Sequence, residues 1–347
     1  MTSFLLHRRA FGSLALLLAP ALHSPAAERA VPVTVAVGTR DAFVFRHLPL
    51  GIAQALDFFT LEGLKVSLRP YASDLLALQA VQQGAADVCA VDFEQLLRSH
   101  EISQAMDARC FVLQGRAPQA ALGVSRRLLP HWRALQDTRM RRVGVSSLGS
   151  LSHTVACLAL VQAGVSPAAV SFVALPDEKE AAAALRSGRV QALCHGDLLM
   201  TRLEQQGDVR IVSDARTLSG TQALFAGGVP GGCLVAPADF LHKKAPQAQA
   251  LAHGVVHALK WLQTAGPADI AKTVTPLRSG KERSTYLSAF ASARETFSPD
   301  GLMPEGGAKT SLRALALSAP DTRGASIQPE RRFTQDFARK AKAKFSA

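Results

Sequence analysis

The densest run of chemically useful side chains is Ser146-Ser147-Leu148-Gly149-Ser150-Leu151-Ser152-His153. It follows the apolar stretch Arg142-Val143-Gly144-Val145 and leads into helical spacing. A helix start offers unpaired N–H groups and the positive end of its dipole, so Ser147, Gly149, Ser150 and His153 suit a small anion without any Lys or Arg. The same residues also make an ordinary helix cap with Ser150 as the capping side chain, and both readings stay open. Gly38-Thr39-Arg40 and His47-Leu48-Pro49 follow another apolar stretch and offer Thr39, Arg40 and His47 as donors. Asp92-Phe93 and His195-Gly196-Asp197 end two more such stretches and fit ligand contact or helix capping equally. Gln114 and Arg116 lie in an apolar segment, where Arg116 is suited to a two-point grip on a carboxylate or sulfonate. An arginine that simply faces solvent is the plainer alternative.

Patterns for catalysis and metals are weak. No G-x-S-x-G elbow occurs, and the scattered Ser and His residues define no triad. His253 and His257 stand one helical turn apart but lack the Glu of a zinc-protease motif. The five cysteines include no C-x-x-C pair, so they read as buried small hydrophobes, with Cys89 and Cys194 expected as free thiols. No metal and no cofactor is expected. The 39 basic and 27 acidic side chains leave a formal charge of +12. The basic residues are dispersed and not interleaved with aromatics, which argues against nucleic acid and leaves small anions as the natural partners. Scarce Trp and Tyr disfavour stacking of a flat heterocycle, although Phe43, Phe45, Phe58 and Phe93 offer one apolar wall.

Several elements must position these residues. With 48% hydrophobic residues in 347, the chain has material for about two folded units. Strands are expected at 31–37, 65–68 and 88–91, with helices opening at Pro49 and at Ser73 between them. The order strand–helix–strand–helix–strand returns at 142–145, 150–163, 170–173, 178–186 and 192–194. Two such units imply parallel sheets covered by helices, in which ligands bind beyond the carboxyl ends of the strands. Segments 110–124 and 211–237 are the expected crossings between two lobes. Helices at 246–264, 267–274, 281–296, 306–317 and 334–345 are expected to complete the first lobe, with Lys340–Lys344 a solvated face. The predicted division is 1–27 export signal, 28–117 plus 222–347 lobe one, and 118–221 lobe two. Residues 1–27 combine Arg8-Arg9, a short apolar core and small residues at 24–27, as a secretory leader cleaved near Ala26 or Ala27 does. The twin arginines suit a folded-export route.

Pro49-Leu50-Gly51-Ile52-Ala53-Gln54-Ala55-Leu56-Asp57-Phe58-Phe59-Thr60-Leu61-Glu62-Gly63-Leu64-Lys65-Val66 resembles a signature of substrate-binding proteins of nitrate/sulfonate/taurine-type ABC transporters. Gln83-Gly84 with Asp87, the Val143–Ser150 stretch and 185–192 resemble further segments of that family. Asp57 stands where the family usually has Gly, and His195-Gly196-Asp197 where an acid followed by Pro is common. The resemblance implies an α/β type II periplasmic binding protein fold: two βαβαβ-type lobes, a hinge of two crossing segments, and C-terminal helices. It also implies a monomer in the periplasm that closes on one sulfonate, nitrate or carboxylate and delivers it to an ABC transporter permease in the inner membrane. A ligand sensor built on the same clamp is the alternative. Thiamine-pyrimidine synthases are similar in fold, but Val91 and Gln95 stand where they carry Lys and His.

Overall fold

A computed structural model describes residues 30–39, 44–130, 134–136, 141–274, 280–319 and 327–347. Among the described residues there are ten strands: β1 (Val31–Val37), β2 (Leu64–Pro70), β3 (Val88–Asp92), β4 (Arg109–Leu113), β5 (Ala120–Ser125), β6 (Arg142–Val145), β7 (Ser171–Ala174), β8 (Ala192–Gly196), β9 (Val209–Ala215) and β10 (Gly232–Ala236). They form two five-stranded sheets, ordered β2-β1-β3-β10-β4 and β7-β6-β8-β5-β9. Each sheet therefore repeats one plan, with a strand from beyond the hinge inserted next to last.

The apolar runs are continuous because both faces of each central strand are covered. Along β1, Val33, Val35 and Val37 face one core while Ala36 faces another. In β3, Val88 and Ala90 alternate with Cys89 and Val91 in the same way. The second sheet repeats this, with Leu122 on one face and Ala121 on the other.

The sheets are mixed, which corrects the all-parallel expectation. β10 runs antiparallel to β3 and β4, and β5 antiparallel to β8 and β9. The reason lies in the crossings. β1 and β3 run toward the hinge, whereas a strand entering from the other lobe starts there and must run away from it. Gly232, the first residue of β10, accordingly pairs with Asp92, the last of β3; Ala120 of β5 pairs with Gly196 of β8. Segments 110–124 and 211–237 thus contain sheet strands as well as connections.

The C-terminal helices do more than complete the first lobe. Helix Gly307–Ser318 packs Ala314 into the second lobe's core, and Thr285 of helix Gly280–Ala293 bonds Gln205 of helix Asp197–Gln205 at 3.0 Å. Helix Asp336–Phe345 buries Ala338 and Ala341 in the first lobe. Two of its three lysines are ion-paired, Lys342 with Asp300 at 2.8 Å and Lys344 with Glu62 at 2.6 Å, while Lys340 is exposed as expected. His253 bonds the same Glu62 at 2.7 Å, and the His257 ring is stacked between Phe58 and Phe345. Both imidazoles therefore hold helices together. All five cysteines are buried and unbridged. Among the described residues, no helix is long and apolar enough to cross a membrane.

Candidate functional site

On the first lobe, the carboxyl ends of β1 and β3 are tied by one guanidinium. Arg46 Nη1 donates to Asp92 Oδ2 at 2.8 Å and to Asp74 Oδ2 at 3.1 Å, while Nη2 donates to the Gly38 carbonyl and lies 3.0 Å from Asp74 Oδ1. Asp74 Oδ2 also accepts from the Asp92 N–H at 2.9 Å. A Cβ at position 38 would stand 1.9 Å from Asp74 Oδ1, so only glycine lets helix Asp74–Gln82 approach β1. At Gly232, a Cβ would meet the Arg46 carbonyl at 2.1 Å, which forces glycine at the mouth of β10. Burial works against charge on Arg46, but Asp74 and Asp92 outweigh it and hold the guanidinium above its ordinary pKa. Burial likewise raises the Asp74 carboxyl, with Arg46 opposing. Arg46 carries one positive charge against two carboxylates, so it is not a spare cation for a ligand.

His47 is fully buried at the start of helix Leu48–Ala55. Gln114 Oε1 accepts from the Leu50 N–H, which leaves its Nε2 to donate to His47 Nδ1 at 3.1 Å. His47 must then carry its proton on Nε2, a buried donor with no partner among the described residues. Burial, followed by the neighbouring Arg46 charge, holds this imidazole neutral.

On the second lobe, Ser150 does cap helix Leu151–Gln162, accepting from the His153 N–H. Its hydroxyl also donates to the Ser147 carbonyl at 2.7 Å and meets Ser146 and Ser152. His153 Nδ1 accepts from the Gly149 N–H at 3.1 Å, so its ring braces the loop. Ser147 is left half-buried, with its hydroxyl making no hydrogen bond among the described residues. Burial, then Arg98, pushes His153 down to about 4.

His195 ends β8. Its Nε2 lies 3.3 Å from the Leu175 carbonyl, so Nε2 carries the proton and Nδ1 is a buried acceptor without a partner among the described residues. Burial pushes it down to about 4; the Leu175 bond opposes this, and Arg46 of the first lobe adds to it. The folded pKa lies below the ordinary 6.5, so the unfolded chain takes the proton first as pH falls. Stability from neutral His195 is therefore complete above pH 6.5 and drains away as pH falls toward 4. His195→Gln should flatten the fall in urea-unfolding free energy across this window by about 3 kcal/mol, at about 1.4 kcal/mol per pH unit. An unchanged pH slope would show that the ring titrates normally.

The two expected crossings are present, and a third segment of chain lies against them. Beside the 113–120 and 215–232 crossings, segment 295–298 is strapped on: Arg116 N–H donates to the Thr296 carbonyl and Ser298 N–H to the Gln114 carbonyl. Arg116 Nε donates to the Glu295 carbonyl at 3.0 Å, which places that guanidinium on the hinge. Gln119, at φ 53°, donates to Thr296 Oγ1 and holds a buried Oε1 without a partner among the described residues. The Asp197 N–H donates to the Gln119 carbonyl, and its carboxyl accepts from Thr201 with Arg216 at 3.8 Å. Burial lifts Asp197 to about 6. Asp197 thus belongs to a network that anchors the second crossing.

The lobes also meet through Arg98, on helix Phe93–Arg98. Arg98 Nη2 donates to Glu94 at 2.9 Å, to Ser318 at 3.1 Å and to Thr154 at 3.3 Å, and Thr154 donates to Glu94 at 2.6 Å. Its side chain lies against Gly149, where a Cβ would come within 3.1 Å.

Thr39, Asp92, Ser147 and His195 therefore sit at the hinge-facing strand ends, with His47 and Gln114 directly behind them. Phe93 is fully buried against Phe333, Phe45 packs on Tyr286, Phe290 and Phe297, and Phe58 stacks on His257. Arg40 and Phe43 lie outside the described residues. Sequence reasoning missed Arg46, Asp74, Glu94, Arg98 and Gln119. Ser73 with Asp74 looked like a helix start, which it is, with Ser73 accepting from Leu76 N–H; nothing local showed where the aspartate pointed.

Two mixed α/β sheets with matching strand orders, joined by crossing strands and bearing polar groups at their hinge-facing ends, define the periplasmic-binding-protein fold. The chain belongs to the NMT1-like family, which it matches over residues 32–275. A solved protein from Bordetella bronchiseptica RB50 is 38% identical, covering 92% of this chain and 99% of its own, with a TM-score of 0.81. More distant structures share the fold. The periplasmic aliphatic sulphonate binding protein SsuA from Escherichia coli is 16% identical over 89% of this chain and 99% of its own, at TM-score 0.66. The periplasmic nitrate-binding protein NrtA from Synechocystis PCC 6803 is 14% identical over 90% and 89%, at TM-score 0.64. No functionally curated protein matches the sequence.

Proposed function

We propose that this protein is an exported solute-binding component of an ABC import system, which holds one small molecule between its lobes and presents it to an inner-membrane permease. Residues 1–27 act as the cleaved export signal, 28–117 plus 222–347 form one jaw, and 118–221 the other. The protein binds its ligand without transforming it. The observation that carries this reading is the convergence of strand ends from both lobes at one hinge, with unspent polar groups on the second: the Ser147 hydroxyl and His195 Nδ1. A ligand that touches both lobes favours the arrangement in which they meet, because only there does it collect all its contacts.

The ligand is a small anion of the sulfonate, nitrate or carboxylate class. Support comes from the helix start at Leu151 and from sulphonate- and nitrate-binding structures among those of the same fold. Arg46 and Arg98 already have carboxylate partners, so neutral donors at the strand ends, with Arg116 on the hinge, are left to do the recognition. In a thermal-shift panel of sulfonates, nitrate, carboxylates and pyrimidines, a member of the anion set should raise the melting temperature by mass action. Ser147→Ala should then weaken that ligand at least tenfold in calorimetry, a charge-assisted hydrogen bond being worth about 1.5–3 kcal/mol. Ser150→Ala should instead cost about 1 kcal/mol of stability as a lost cap. Stabilisation by pyrimidines alone would reject the anion assignment and leave the clamp intact; no stabilisation by any would reject both.

A further inference from the structure

A groove of about 770 Å³ opens on the first lobe, lined by His100, Gln104, Asp107, Arg109, Arg331 and Arg332 among others. It is separate from the hinge. Arg109 begins β4 and pairs with Ala236, at the opposite end of the sheet from the Gly232–Asp92 pair that faces the hinge. Its charges are unbalanced. Arg109 bonds Asp107 at 2.6 Å, and Glu330 is drawn toward Lys309 at 3.7 Å. Arg331 is exposed and has no carboxylate among the described residues; Arg332 is only 7% exposed and donates from Nη1 to the Ser103 carbonyl at 3.0 Å.

Donors are left over as well. Arg109 Nε and Arg332 Nε are buried without any hydrogen-bond partner among the described residues. A buried polar group left unsatisfied costs free energy that a ligand can recover. The three guanidiniums also repel one another. Burial, with Arg109 and Arg331 adding and Asp107 opposing, holds Arg332 below its ordinary pKa. Guanidinium forks match the oxygens of a tetrahedral oxyanion in two-point contacts. The groove is wider than one such ion, which leaves room for an organic remainder.

We propose that this groove is a second anion site, distinct from the interlobe cleft, which takes a phosphate group carried by a phosphomonoester or by a lipid headgroup. The test uses the 15N-labelled mature protein at low salt. Titration with glycerol 3-phosphate should move the Arg109 and Arg332 Nε–H resonances in a saturable way. Arg331→Glu should weaken that response at least tenfold, about 1.4 kcal/mol. The amide resonances of residues 146–153 report the cleft separately, and their response to the same titration should not change in this variant. Phosphatidylcholine vesicles doped with phosphatidic acid decide the source. Sedimentation with them that Arg331→Glu abolishes assigns the lipid headgroup; a saturable response to glycerol 3-phosphate without sedimentation assigns the soluble ester. Arginine resonances unmoved up to tens of millimolar ester, without sedimentation, would overturn the site. So would a response that Arg331→Glu leaves intact.

Discussion

Arg46→Met should destabilise the protein by about 3 kcal/mol at neutral pH, the lower end of the range for breaking a buried ion pair. The lower end is appropriate because Arg46 keeps 26% of its side chain exposed, whereas Asp74 and Asp92 keep 10% and 6%. Removing the guanidinium leaves two carboxylates side by side in a poorly solvated pocket, and the hydrogen bond to Gly38 O is lost as well. Without the opposing guanidinium, the Asp74 carboxyl, which burial already raises, should rise further, so the folded variant binds a proton at pH values where the unfolded chain does not. Its deficit against the parent should therefore shrink as pH falls through that raised value. Adding Asp74→Asn and Asp92→Asn should recover part of the loss at neutral pH. Urea unfolding at neutral pH and near pH 5 measures both effects. A pH-independent deficit would mean that lost packing, not unpaired charge, is the cause.

Glu94→Ala should cost a further large amount, about 3 kcal/mol, and should also let the lobes separate. Glu94 is 3% exposed and accepts from both Thr154 of the second lobe and Arg98 of the first. Without it, Arg98 stands uncompensated beside Gly149 at the start of helix Leu151–Gln162, where the helix dipole is also positive. Glu94→Gln keeps an acceptor for Thr154 but no counter-charge, and should fall between parent and Ala variant. Combining Glu94→Ala with Arg98→Met should restore much of the stability by removing the stranded charge. Spin labels placed one on each lobe should report a longer mean distance in Glu94→Ala. Additive effects of Glu94→Ala and Thr154→Val in a double-mutant cycle would show that no latch exists.

These two clusters also mark where local reading stopped. β1, β3, β6 and β8 were legible because central strands buried on both faces leave short continuous apolar runs. The helix from Leu48 was legible from Pro49, and the one from Leu151 from the cap at Ser150, since N-terminal signals act within a turn. The all-parallel sheet was a misreading. Apolar content in β5 and β10 marks a buried strand but not its direction, and direction follows from which side of the hinge the chain re-enters. The serine loop was visible as a polar helix start, but only packing shows that Ser150 and His153 are spent within it and Ser147 is not.

The chain's own order of residues determined the alternation of strands and helices, the repeated unit, and the family, because periodicity, caps and turn residues act over a few positions. Tertiary structure alone decided which charges remain available. Arg46 meets Asp74 and Asp92 from 28 and 46 residues away, and Arg98 meets Ser318 from 220, so their pairing depends on how whole elements come to rest. A charge is worth most, or costs most, where it is buried, and burial is a property of the assembled fold.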